Sequence, residues 1–441
     1  MGPVPSCQGA AVSGIGSATL LSCAAMEYIY LDHAAATPAS PRVLDAMAPY
    51  ESELFYNPSS PYAPAVIVRQ AYEQARADLA HAIGGKPAEV VITAGATESI
   101  NLAFGSVTAH VVSTAIEHES VLACARQHPH TLVGVDARGR VDPAEIARAI
   151  RPDTQLVSVG VANNEIGTIQ PLRAISTAVR AERLRRLQTG STTPLYLHCD
   201  ASQGAGQIDI NTSSLGVDLL TCNAGKVYGP KQVGLLWASP EVVLRPTIVG
   251  GGQERGLRSG TENVAGAVGF ACALQEAVEG RKDEARRLTA LRDNLQGQLT
   301  AAFPEAVVSG HKKHRLPGHL HISFPGVDAE RLVFKLEDVG VLVGTGAACA
   351  ANRDTRSHVL EAIGLPPEVA DASLRLSLGR LSTEENIERA ASLIVEAVRS
   401  EYARMGRSAG AAARAAAGAN AAADACKRGT RPDDKNAGMT R

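Results

Sequence analysis

Lys226 stands in the run Leu220-Thr221-Cys222-Asn223-Ala224-Gly225-Lys226-Val227-Tyr228-Gly229-Pro230. Asp200 and Gln203 precede it in Leu195-Tyr196-Leu197-His198-Cys199-Asp200-Ala201-Ser202-Gln203, and Cys349 follows it in Gly344-Thr345-Gly346-Ala347-Ala348-Cys349. An amine, an upstream carboxylate and a loop thiol suit pyridoxal phosphate chemistry on sulfur. That cofactor needs a lysine for a Schiff base, an acid at its pyridinium nitrogen, and backbone and side-chain donors for its phosphate. Candidates for all three are present. Asp200 would keep the ring nitrogen protonated, because a nearby carboxylate favours the charged form. Thr97 follows Gly95-Ala96 at a predicted helix start, where unpaired amides and the helix dipole favour a phosphate.

The elements that must position these residues are short. β-Branched runs recur at Val90 to Thr93, His110 to Ala115, Leu156 to Ala162, Leu195 to Asp200, Asp218 to Asn223 and Val233 to Ala238, with helical stretches between them. Strands alternating with helices predict an α/β fold with a mostly parallel sheet covered on both faces. Asp142-Pro143-Ala144-Glu145 predicts one helix start in detail: an N-cap, a proline in the first turn and a capping-box glutamate, with the helix ending near Pro152. Thr97, His118, Asn164, Asp200 and Lys226 each fall at or just after the carboxyl end of a predicted strand, where open α/β sheets place ligands.

With 441 residues, 45% of them apolar, the chain is long enough for a large core divided into two lobes. A formal charge of -2, without basic runs interleaved with aromatics, argues against nucleic acid or an anionic membrane as the main partner and for a small-molecule substrate. Eight scattered cysteines with no Cys-x-x-Cys pair fit a reducing, cytoplasmic setting. Residues 1–26 read as an extension without a basic leader, and Met26 as an alternative start. Residues 406–441, rich in Ala, Gly and Arg, read as a low-complexity tail.

From about Tyr28 to Ala397 the order of motifs resembles the cysteine desulfurases and their selenocysteine lyase relatives. The matching segments are Leu31-Asp32-His33-Ala34-Ala35-Ala36-Thr37-Pro38, Asn57-Pro58-Ser59-Ser60, Gly95-Ala96-Thr97-Glu98-Ser99, Glu117-His118, Asn163-Asn164-Glu165-Ile166-Gly167, the Asp200, Lys226 and Cys349 segments, Gly250-Gly251-Gly252-Gln253-Glu254-Arg255, Arg258-Ser259-Gly260-Thr261, and Leu374-Arg375-Leu376-Ser377-Leu378-Gly379-Arg380. The resemblance implies the aminotransferase-like fold (type I), with a large cofactor domain at 40–281 and a small α+β domain combining 27–39 with 282–405. It implies pyridoxal 5'-phosphate on Lys226, with His118 stacked on its ring, Asn164 and Asp200 among its ligands, Gln203 at its hydroxyl, and Thr97 and Asn223 at its phosphate. Thr261 would reach the phosphate of a neighbouring subunit in a homodimer. Arg375, helped by Asn164, would clamp the carboxylate of L-cysteine, and Cys349 would take its sulfur as a persulfide and release alanine. Sulfur would then pass to an acceptor protein, for iron–sulfur clusters or thiolated products.

Two positions depart from that pattern. Asn223 replaces a usual phosphate-binding serine, and Gly225 replaces the usual histidine before the lysine; Asn223 can donate from its amide, and Gly225 is expected to bring a backbone amide to the phosphate. A degenerate sulfur-trafficking scaffold is the alternative from a different class, and selenocysteine lyase the alternative within this one. His311, His314, His319 and His321 invite a zinc reading, although the neighbouring Lys312, Lys313 and Arg315 favour a solvated loop, and no metal is expected. Cys199, Cys222 and Cys272 read as buried apolar residues.

Overall fold

The computed structural model describes residues 28–345 and 356–406. Cys349, the extension at 1–26 and the tail beyond Gly406 lie outside the described residues. A short strand, β1 (Ile29–Leu31), opens the described chain. Seven strands then form one sheet: β2 (Val90–Thr93), β3 (His110–Thr114), β4 (His130–Val133), β5 (Thr154–Ser158), β6 (Tyr196–Asp200), β7 (Leu219–Asn223) and β8 (Gly234–Ala238). Their spatial order is β2-β8-β7-β6-β5-β3-β4. The five strands from β7 to β4 run parallel, while β8 is antiparallel to both β7 and β2. The mostly parallel α/β sheet expected from the sequence is present.

Alternating side chains explain why the sheet is covered twice, because successive residues of a strand face opposite sides. Val90, Ile92, Val112, Val157, Leu220 and Leu235 join a core with Tyr72, Leu79, Phe270 and Leu274 from the helices Ala63–Ala82 and Val264–Glu279. Their neighbours Val91, Val111, Leu156, Leu219 and Leu236 join a second core with Ile100, Phe104 and Val121 from the helices Ala96–Gly105 and Glu119–Ala125. Burying one such aliphatic side chain contributes about 1.5–3 kcal/mol, so these alternations fix the strand register. The helix at Pro143–Ala149 is capped by Asp142, whose carboxylate accepts from Ala144 N at 2.9 Å, as its sequence predicts. Strand β4 was not predicted. It is an edge strand with His130 and Leu132 exposed, so it lacks the buried β-branched run that marks the others.

Four further strands, β9 (Val307–Ser309), β10 (His319–Ser323), β11 (Val341–Thr345) and β12 (Ser373–Ser377), join β1 in a second sheet of order β1-β11-β12-β10-β9. Only the β1–β11 pairing is parallel among its strand pairs. Leu288, Leu295 and Phe303 from Arg281–Ala302 and its end pack there with Ile322, and with Ile387 and Ile394 of Glu384–Arg404. This sheet brings two groups toward the first: Arg375 on β12, and the turn at 32–36 that follows β1.

The histidine stretch is a loop that leads into a strand, as the spacing of its last two histidines suggests. His311 and His314 lie on the connection before β10, whereas His319 and His321 are buried within β10. No group of three or more potential metal ligands gathers among the described residues. Cys199 and Cys222 are fully buried, and Cys272 is half-buried rather than buried.

Candidate active site

A cavity of about 270 Å³ opens at the carboxyl ends of the parallel strands. Its wall contains Thr97, His118, Asn164, Asp200, Gln203, Asn223, Lys226 and Arg375, together with Ala34, Ala35, Glu117 and Ser202. Eight of the residues singled out from sequence, scattered over 279 positions from 97 to 375, are thus brought to one place. Thr261 is not among them: it is exposed and outside the wall of its own chain's cavity.

One end of the cavity suits an anion. The helix Ala96–Gly105 begins after Gly95, whose φ of 141° is open only to glycine without strain, and Thr97 sits in its first turn. Glu98, the acid of that turn, is occupied elsewhere, accepting from Ala94 N at 2.9 Å and from Arg258 Nε at 3.0 Å. Asn223 Oδ1 accepts the Gly225 N–H at 3.0 Å, which leaves the Asn223 amide group as a donor. The Gly225 amide is thus engaged by Asn223 in this structure. Gly225 also gives room to Lys231, whose Cδ would lie 3.2 Å from an added Cβ.

At the centre, Lys226 leaves the short helical turn Ala224–Lys226 after β7, and its Nζ donates to the carbonyls of Ala34 at 2.8 Å and Ala35 at 2.6 Å. Burial first and the Arg375 charge second pull its pKa down to about 8, against the opposing pull of Asp200 and Asp32. The charged amine still predominates at neutral pH, but the neutral form that a nucleophile or base requires is far more accessible than in an ordinary lysine. Asp200 ends β6 and accepts from Ser202 N at 3.0 Å. Gln203 Nε2 donates to Ala34 O at 3.1 Å, so this side chain holds the same carbonyl as the lysine.

His118 caps the helix Glu119–Ala125, accepting the Ser120 N–H at Nδ1 over 3.1 Å, which places the proton of the neutral ring on Nε2. Its ring is open to the cavity, yet the surrounding protein withdraws enough bulk water to lower its pKa; Asp200 opposes that fall and Lys226 adds to it. Behind it, Glu117 is buried. It accepts from Thr114 Oγ1 at 2.6 Å and from Gly160 N at 2.9 Å, and burial pushes its pKa up to about 7.

Arg375 is buried in the cavity wall, but Asn164 assists it differently from the expectation: Arg375 Nη1 reaches the Asn164 backbone oxygen at 3.4 Å, not its side chain. Its strongest partner is Asp32, 2.7 Å from Nη2. Asp32 was quoted in a motif but given no role. The carbonyls of Ala34 and Ala35 carried no sequence signal at all, since backbone groups are common to every residue. Glu165, also buried and with its pKa raised to about 7 by burial, accepts from Ser357 Oγ at 2.5 Å. His358 Nε2 lies 2.9 Å from Glu117 O.

These groups fit pyridoxal phosphate. The wall offers an amine of depressed pKa, a carboxylate, and a helix start with Thr97 and the Asn223 amide at one end. Ser202 Oγ is buried in the wall without a partner of its own, as a residue awaiting a polar ligand would be.

Glu117 also makes a pH prediction. Its folded pKa of about 7 lies above the unfolded carboxyl value, so its contribution to stability is present below about pH 4.5 and is lost as pH rises through about 7. The difference amounts to on the order of 3 kcal/mol. Buried neutral His198, His319 and His321 have lowered pKa values and act with the opposite sign, losing stability as pH falls. Glu117→Gln isolates the first effect: the gap in Tm between variant and parent is expected to favour the variant progressively from pH 5 to pH 8. A gap that stays constant over that range would sink the assignment.

Comparisons with known proteins agree with this geometry. The aminotransferase class-V family model matches residues 29–390. The cysteine desulfurase IscS 1 of Archaeoglobus fulgidus is 39% identical over 372 residues, 82% of this chain and 94% of that protein. The cysteine desulfurase IscS of Dictyoglomus turgidum is 38% identical, over 81% of this chain and 91% of its own. Among solved structures, a NifS-like protein superposes with a TM-score of 0.77 at 34% identity, covering 84% of this chain and 99% of that one. SspA in complex with cysteine gives a TM-score of 0.67 at 31% identity, over 79% of this chain and 98% of its own. A cavity built on strand ends around Lys226 and Asp200, in a chain so matched along most of its length, places this protein in the class-V aminotransferase family, among the cysteine desulfurases.

Proposed function

We propose that this protein is a pyridoxal 5'-phosphate-dependent cysteine desulfurase that converts L-cysteine to L-alanine and leaves the sulfur as a persulfide on Cys349. The observation that carries the reading is the convergence of Lys226, Asp200, His118 and Arg375 on one cavity wall. Residues 40–281 would form the cofactor-binding domain, and 27–39 with 282–405 the smaller one. The cofactor would be held by Lys226, Asp200, Gln203, Thr97 and Asn223. Bound there, it supplies an electron-accepting ring that weakens bonds around the substrate's α-carbon.

The chain's own groups do the rest. Arg375 binds the substrate carboxylate with two parallel hydrogen bonds, which fixes orientation as well as charge. Lys226 Nζ, kept partly neutral by burial, takes the proton from the α-carbon and returns one as alanine forms. His118 Nε2, which carries its ring proton, stands at the cavity to hand over or receive a proton. Cys349 as thiolate attacks the substrate sulfur: a sulfur–sulfur bond forms, the substrate carbon–sulfur bond breaks, and the carbon ends protonated as the methyl group of alanine. Carbon is reduced and the transferred sulfur becomes the outer atom of the persulfide, so no outside oxidant is needed. Thr261, exposed and away from its own cavity, would complete the site of a second copy in a homodimer, and sulfur would leave to an acceptor protein in the cytoplasm.

The test is to load the purified protein with pyridoxal phosphate, record its visible spectrum, add L-cysteine together with excess dithiothreitol, which reduces the persulfide and discharges its outer sulfur as sulfide, and measure alanine and sulfide. A visible band with alanine and sulfide in equal amounts is the expected result. A folded protein that takes up no cofactor would overturn the reading in favour of a scaffold, and alanine release from selenocysteine alone would assign it as a lyase.

A further inference from the structure

Asp32 and Arg375 are 343 positions apart, and the fold spends specific structure on joining them. β1 runs parallel to β11, an isolated bridge joins Asp32 to Ser377, and His33 N donates to Ser377 O at 3.2 Å, so the end of β1 is fastened beside β12, which carries Arg375. The Asp32 carboxylate then meets Arg375 Nη2 at 2.7 Å. Arg375 Nε is buried without a partner, and Nη1 has only the distant Asn164 carbonyl at 3.4 Å. A guanidinium held at one corner by Asp32, with only a long contact at Nη1 and an unpartnered Nε beside Gly344, keeps donor capacity for a second anion in the cavity that Arg375 lines. Gly344 makes the pair possible: a Cβ at that position would fall 2.9 Å from Asp32 Oδ1 and 3.0 Å from Arg375 Nη2.

The same stretch serves Lys226. Asp32 O accepts from Ala35 N at 3.0 Å and thereby folds the turn whose Ala34 and Ala35 carbonyls hold the lysine amine. Asp32 and Arg375 also act on that amine with opposite sign, the carboxylate raising its pKa and the guanidinium lowering it.

We propose that Asp32 is a positioning residue for Arg375: its carboxylate anchors one corner of the guanidinium so that the rest is presented to the carboxylate of the amino-acid substrate, with Gly344 keeping the space this pair needs. The proposal rests on the reading of Arg375 as the substrate-carboxylate ligand. It sets Asp32 apart from a residue that merely stabilises the fold, because a structural role would not single out affinity for carboxylates.

The experiment uses the holoenzyme and two readouts: KM and kcat for L-cysteine, and calorimetric binding of L-alanine, which has the same carboxylate but no sulfur to transfer. Asp32→Ala is expected to raise KM roughly tenfold and to weaken L-alanine by a similar factor, with kcat changed by less than about threefold, the pattern of lost ground-state binding. Asp32→Asn retains an oxygen acceptor and should show a smaller loss in both. Gly344→Ala, which keeps both charges but wedges them apart, should reproduce the Asp32→Ala pattern. Arg375→Ala serves as the reference. If it impairs both readouts while the Asp32 and Gly344 variants leave them unchanged, the proposal is wrong and the role of Arg375 stands. Should Arg375→Ala itself leave KM and L-alanine binding unchanged, the carboxylate reading falls and the proposal with it. A loss confined to thermal stability in all three variants would also overturn it.

Discussion

Lys226→Ala is expected to remove both the visible band of bound cofactor and the release of alanine, lowering turnover by on the order of a thousandfold or more. The size of the effect follows from the lysine's two duties, which no neighbour can assume. Lys231 lies close enough to depress the Lys226 pKa, but its Nζ is held by Thr37 O. Arg375 offers only hydrogen-bond donors and cannot act as a base. The fold should survive, because Lys226 ends a short turn whose backbone bond runs from Val227 N to Ala224 O, and its amine reaches only the carbonyls of Ala34 and Ala35. Circular dichroism and Tm near the parent values, with no band and no alanine, would be the expected triad. A variant that still releases alanine at the parental rate would refute Lys226 as the cofactor lysine.

How much of this was legible beforehand depended on whether the signal was local. The strands that precede Thr97 and Lys226 and the strand that ends in Asp200 are largely buried, so short apolar-rich runs between helical stretches announced them, and the residues at or just beyond their ends were readable as site residues. Strand β4 escaped because an edge strand with exposed His130 and Leu132 has no such run. The Asn223 side chain that engages the Gly225 amide two residues later is a contact that composition cannot show. The Asp32–Arg375 pair was out of reach for a further reason: it depends on β1 pairing with β11 across more than three hundred residues, and on the absence of a Cβ at Gly344. Ser202 was invisible for the opposite reason, since nothing distinguishes a serine aimed into a cavity from a serine on a turn until its missing partner is seen. His319 and His321 show the same limit, because their spacing suggested ligands while their burial in β10 is what decides their state.

Cys349→Ser is expected to separate the two halves of the chemistry: cofactor uptake and its visible band persist, while sulfide and alanine formation from L-cysteine fall by on the order of a hundredfold or more. Cys349 itself is outside the described residues, but the points between which it is tethered are well placed. The chain enters from β11, where Gly344 lies against Asp32 and Arg375. It re-emerges at Arg356, followed by Ser357 hydrogen-bonded to Glu165 and His358 hydrogen-bonded to the carbonyl of Glu117. Both described flanks of the intervening segment are therefore fastened beside the cavity. Among the described residues the cysteines offer no substitute: Cys199 and Cys222 are fully buried, with thiol pKa values pushed far up by burial, and Cys124 is pushed up to about 11. Cys272 is half-buried on the helix Val264–Glu279, outside the cavity wall, and its pKa is raised as well. A serine at 349 preserves size but not a nucleophile able to accept sulfane sulfur, so the variant should bind L-cysteine, perturb the visible band and stop there. Labelling with an alkylating reagent, read by mass spectrometry after exposure to L-cysteine, should find the extra sulfur on Cys349 in the parent and on no described cysteine in the variant. Full desulfuration by Cys349→Ser would mean that sulfur leaves the substrate without the Cys349 thiol, and the persulfide step on Cys349 would have to be abandoned.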